Sequence, residues 1–100
     1  MKKNPFDIQA EIDEQAEREA KLKREREQYS RDLAELMRTR AGRHVVNTWI
    51  HRYGRDGDPF DTNAMMMARR SGIRFVALEI SQEIKAALPA EFATMEAENG

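Results

Sequence analysis

The stretch "EIDEQAEREAKLKREREQYSRD", residues 11–32, constrains the fold more than any other part of the chain. Fourteen of its 22 side chains are charged. Such a segment cannot be buried all round, because charges leave water only when they are paired and hydrogen-bonded. Asn4-Pro5 ahead of it is a helix start, with Asn as N-cap, Pro at the first helical position and Asp7 in the first turn. No glycine or proline interrupts residues 6–41. Glu14/Arg18, Glu17/Lys21, Glu19/Lys23 and Glu27/Arg31 stand acid before base at i,i+4, a spacing that adds ~0.3 kcal/mol per pair to a helix. Ile8, Ile12, Ala16 and Ala20 follow one another at intervals of four. The reading is a charged helical arm over residues 1–32 with a thin apolar stripe. It projects into solvent, or lays Ile8 and Ile12 on a protein partner or a second arm. A disordered, charge-rich tail is the competing reading for residues 1–20.

The chain has 27 large apolar residues, of which residues 1–32 hold six and residues 33–95 hold 21. A packed unit is therefore expected over residues 33–98. A unit of about 60 residues is only marginally stable alone. The chain has no cysteine, so no disulfide or thiolate-held metal can staple it, which fits a reducing compartment. No apolar run approaches the ~18 residues that a membrane span needs. The first residues lack the apolar core of a secretion signal.

Within that unit, "RHVVNTWIHRYG" (43–54) places Val45, Val46, Trp49, Ile50 and Tyr53 within ~140° of one another on a helical wheel. This is an amphipathic helix, ended by the turn cluster "GRDGDP" (54–59). A shorter helical stretch, about residues 31–41, precedes it and continues the arm until Gly42, the first residue able to break it. From about Thr62 to Leu88 a longer helix is expected, with Asp61, Thr62 or Asn63 as N-cap. Ile73, Val76, Ala77, Ile80, Ile84, Ala87 and Leu88 fall within ~60° either side of Ile73 and form its predicted core stripe. Phe75 and Leu78 lie nearly opposite, so the helix is either sandwiched or meets a partner on this second side. Pro89 stops this helix, and "AEFATMEAE" (90–98) reads as an acidic tail helix anchored by Phe92 and Met95. There is no strand alternation, internal repeat or sustained heptad. The expected class is all-α, a small helical bundle preceded by the arm.

"MMMARRSGIR" (65–74) sets two arginines against this stripe. On an unbroken helix Arg69 and Arg70 share its side, and a guanidinium cannot be buried unpaired. The helix kinks at Ser71-Gly72, or the core ends there, or an anion meets the arginines. The preferred reading ends the core there, with a carboxylate from Asp32 or Glu35 as partner. The methionines read as core or interface filling rather than as a metal or redox set.

Charge is sorted along the chain: net −2 over residues 1–37, +5 over 38–74 and −4 over 75–100. The segments neutralise one another on folding, or the basic middle meets phosphate or an acidic partner. The candidate contacts are Arg40, Arg43, Arg69, Arg70 and Arg74, since arginine suits bidentate pairing. Chemistry is otherwise sparse. His44 and His51, seven residues apart, face solvent roughly 10 Å from each other. "DGD" (56–58) with Asp61 lacks the spacing of a calcium loop. No phosphate loop, dinucleotide fingerprint or catalytic triad context is present. No catalytic residue, cofactor or metal is expected, and an enzyme is not the reading. DNA contact, if made, would be salt-sensitive backbone binding, and no nucleic-acid module signature supports it.

"LAELMRTRAGRHVVNTWI" (33–50), "YGRDGDPF" (53–60), "ARRSGIRFVALEI" (68–80) and "LPAEFATMEAE" (88–98) together resemble a family of small proteins encoded among the virion genes of podovirus-type tailed bacteriophages, known from a Bordetella phage. The resemblance covers about two-thirds of the chain and leaves out the arm; "RRSG" stands where Gly-Arg-Arg is the more usual order. It implies a phage structural or assembly protein that contacts other virion components, located in the virion or the host cytoplasm. It implies no functional residues.

Overall fold

A computed structural model describes residues 4–55, 60 and 62–99. Among them the chain is all-α, with no strand: α1 (Pro5–Arg38), α2 (Arg40–Ile50), a π-helical turn (His51–Arg55), α3 (Ala64–Ala87) and α4 (Pro89–Asn99). The turn cluster 56–59 and Asp61 lie outside the described residues. The chain divides into two units, Met1–Leu33 and Ala34–Gly100.

In the first unit every described residue up to Asp32 is exposed. Helix α1 starts as the sequence dictates: Asn4 Oδ1 accepts from the Phe6 amide at 3.0 Å, and Pro5 has no amide proton to leave unsatisfied. The four anticipated ion pairs are absent among the described residues. Lys23 and Glu27 instead approach to 4.0 Å. Glutamines take three of the carboxylates at i,i+4: Gln9 donates to Asp13, Gln15 to Glu19 and Gln28 to Asp32. Exposed ion pairs gain too little over hydration to hold two long side chains in one geometry.

In the second unit α1 ends before Gly42 rather than at it. Thr39 is extended and becomes the N-cap of α2, its Oγ1 accepting from the Gly42 amide at 3.0 Å. Gly42 is then forced to be glycine by a close approach, since a Cβ there would stand 2.0 Å from the Leu36 carbonyl oxygen. Along α2 and the π turn the buried ridge is Gly42, Val46, Ile50 and Gly54 at intervals of four. A Cβ on Gly54 would meet the Ala77 Cβ at 3.0 Å, so the π turn and α3 come together through small residues.

That approach sets the rotation of α3. Asn63 caps it, accepting from the Met65 and Met66 amides at 2.9 and 3.2 Å, and the helix runs unbroken through Ser71 and Gly72. Its buried residues are Ala77, Ser81 and Ile84. The predicted stripe centred on Ile73 is corrected accordingly: Ile73, Val76 and Ile80 are 41%, 54% and 44% exposed. Larger side chains at the Gly54 contact would hold the helices apart, so Ala77 and Ser81 turn inward and the isoleucine face turns out. Helix α4 follows at once from Pro89 and buries Phe92 and Met95 against the unit, in contact with α2 and α3. The core is Met37, Val46, Ile50, Ala77, Ile84, Phe92 and Met95.

Candidate contact surface

Five arginines are the sequence candidates for an anion site, and the structure gives them different duties. Arg43 is engaged inside the unit. Its Nε and Nη2 donate to the Glu98 carboxylate, at 3.2 Å to each oxygen and 2.6 Å to Oε1. Its Nη1 donates to the Met37 and Arg38 carbonyl oxygens at 3.0 and 2.8 Å. Those carbonyls are left without helical partners by the end of α1, so Arg43 caps α1 and ties it to the end of α4. The Glu98 hydrogen bond raises the Arg43 pKa, against a smaller opposing cost of burial. The same bond holds the Glu98 carboxyl below the usual carboxylate range, again against burial. The phosphate candidacy of Arg43 is thus corrected to a structural role, because its guanidinium donors are already directed at oxygen atoms of this chain.

Arg40 is exposed, and its charge helps to lower the Glu98 pKa. Arg69 and Arg70 are exposed and Arg74 is half-buried. The carboxylate partners expected for Arg69 and Arg70 are otherwise occupied: Glu35 pairs with Arg38 and Asp32 accepts from Gln28. The buried residues of α3 begin only at Ala77, so Arg70, seven residues earlier on the same face, and Arg69 lie before the start of the core and are exposed. Gly72 is not required by any neighbour within this chain, since a Cβ there would find nothing within 4 Å. His44 is exposed and its Nδ1 lies 3.2 Å from Asn99 Oδ1, whereas His51 is half-buried rather than facing solvent. Among the described residues no three His, Cys, Asp or Glu side chains are grouped to hold a metal ion, and no helix is long and apolar enough to cross a membrane.

What the folded unit does present is apolar surface. On α2 and the π turn, Val45, Trp49 and Tyr53 follow at intervals of four beside the buried ridge, and all three are exposed. On α3 the outward face carries Ile73, Val76 and Ile80. Of the two candidate interface residues, Phe75 is 64% exposed and Leu78 is half-buried. Ile8 and Ile12, the candidates on the arm, are exposed. Val76 belongs to the core stripe expected from sequence, and Val45, Trp49 and Tyr53 to the apolar arc of the expected amphipathic helix, yet all four are exposed. For α3 the signal against that reading is the pair of small residues Ala77 and Ser81, four apart, which marks the face able to approach another backbone. Glu98 carried no sequence signal beyond its place in an acidic tail. Comparison with known proteins finds no matching family model, no matching curated protein and no matching solved structure.

Proposed function

We propose that this chain works by contact, as a non-enzymatic structural or assembly protein of a bacteriophage particle, through helix-mediated protein–protein interfaces. One observation carries the contact reading: Val45, Trp49 and Tyr53 on one helical face, and Ile73, Val76 and Ile80 on another, are exposed. Contiguous apolar faces of this kind are uncommon on monomers that act alone and are what partner helices cover. The aromatic pair Trp49 and Tyr53 is the kind of anchor on which interface energy concentrates. The phage setting, in the virion or the host cytoplasm, comes from the resemblance of residues 33–98 and supplies a virion component as partner. Phosphate-backbone binding by the arginine-rich middle is the weaker alternative, because Arg43 is spent on Glu98 and on two carbonyls.

The test is mass spectrometry of purified particles and assembly intermediates. The chain is expected in one or both, and its absence from both overturns the reading. A DNA titration across salt concentration separates the alternative: binding that weakens steeply with salt would favour it.

A further inference from the structure

We infer that the outward face of α3 pairs with the same face of a second copy of this chain, antiparallel, about a two-fold axis at Val76. The inference deepens the contact reading and rests on it for the claim that exposed apolar faces are covered. What points to a second copy is the order of charge along the face. Ile73, Val76 and Ile80 repeat at the three-four spacing of a helix–helix seam. One step further out in each direction the same seam carries Arg69 and Glu83, seven residues before and seven after Val76. Neither has an ion pair within the chain among the described residues.

Reverse this face end for end about Val76 and the arginine falls on the glutamate, while Ile73 comes level with Glu79 and Ile80 level with Gly72, which leaves the two isoleucines one residue apart across the seam. A surface that is its own complement on reversal is what an isologous two-fold contact requires. In an antiparallel pair about Val76, residues equidistant from it share a level. Arg69 of each copy then meets Glu83 of the other, and Ile73 meets Ile80 within about one helical rise of ~1.5 Å. A parallel pair would set arginine on arginine and glutamate on glutamate, so charge selects the orientation, as polar seam positions do in coiled coils. Gly72 fits the same arrangement. It lies at the flank of the seam, four residues before Val76, level with Ile80 of the second copy, and among the described residues nothing in its own chain fills the space beside it.

The experiment is sedimentation equilibrium of the full chain over a range of concentrations, with three variants. The wild type is expected to dimerise. Arg69→Glu and Glu83→Arg should each raise the dimer dissociation constant about tenfold or more, because each converts two attractive contacts per dimer into two repulsive ones. The double variant R69E/E83R restores the reversed pairing and should return to near wild-type affinity, which no general loss of folding would do. Circular dichroism of the single variants should be unchanged, since both positions are exposed. A wild type that stays monomeric throughout, or a double variant no better than the singles, overturns the pairing. A monomer still found in particles by mass spectrometry would overturn the pairing alone and leave the contact reading standing.

Discussion

A methyl group added at Gly42 would stand 2.0 Å from the Leu36 carbonyl oxygen. The obstacle is backbone, which cannot rotate away, so the α1–α2 junction must open. Gly42→Ala should therefore destabilise the fold by about 1–3 kcal/mol, the usual cost of overpacking. The same substitution at Gly72 meets nothing within 4 Å and lies inside α3, where alanine is the better helix former by ~1 kcal/mol. In dilute protein Gly72→Ala should raise the thermal midpoint and Gly42→Ala should lower it. A reversed order would mean that the α1–α2 junction is not packed as described. Arg43 and Glu98 supply a pH dependence whose sign is determined. The folded-state pKa of Glu98 lies below its ordinary value of 4.5, chiefly through the Arg43 hydrogen bond. The stability it contributes is complete above that ordinary value and is lost as pH falls through the lower, folded value. The Arg43 pKa is raised, so its share is fully present throughout this acid range. Thermal melts from about pH 6 down to about pH 3 should show wild type losing more stability than Glu98→Gln, which keeps an acceptor oxygen but does not titrate. Equal acid sensitivity of the two proteins would place the titrating group elsewhere.

Helix α3 shows what periodicity determines and what it leaves open. Its limits were legible to within two residues: the cap falls on Asn63, one of the three candidates Asp61, Thr62 and Asn63, and Pro89 follows its end as expected. Its rotation was not. Apolar side chains cover more than half of its circumference, and a wheel ranks faces by apolarity alone. The face that is buried is decided by the partner, here Gly54, which needs a small residue opposite and finds Ala77. The consequence is measurable. Ile84 is 2% exposed and Ile73 is 41% exposed. Ile84→Ala should cost about 2–4 kcal/mol in a chemical denaturation series. Ile73→Ala, in protein dilute enough to be monomeric, should cost under ~1 kcal/mol. Comparable losses at the two positions would return the core to the face that the wheel prefers. Helix α2 and the π turn after it divide in the same way, with Val46 and Ile50 inside and Val45, Trp49 and Tyr53 outside, although the five share one arc on paper.

For the molecule as a whole, the helical class and the charge-rich first stretch were readable because they depend on composition and on the absence of helix breakers. The Arg43–Glu98 tie joins residues 55 apart and had no local signature, and the outward faces depended on packing that one chain cannot display along its sequence. The sum is a second unit with few buried apolar side chains. Of its large apolar residues described, six are buried and 12 exposed, a balance that leaves little margin against conformational entropy. Association would add stability that the core lacks, and mass action makes that addition visible. If α3 pairs with α3 of a second copy, only the folded chain binds, and the thermal midpoint rises with protein concentration. A tenfold increase stabilises the dimer by about 1.4 kcal/mol, or ~0.7 kcal/mol per chain. For a domain of this size that is about 3–5 °C. Calorimetry of wild type across two decades of concentration should show this drift, and R69E should flatten it. A midpoint independent of concentration in the wild type would mean that the exposed faces contribute nothing to folding through self-association.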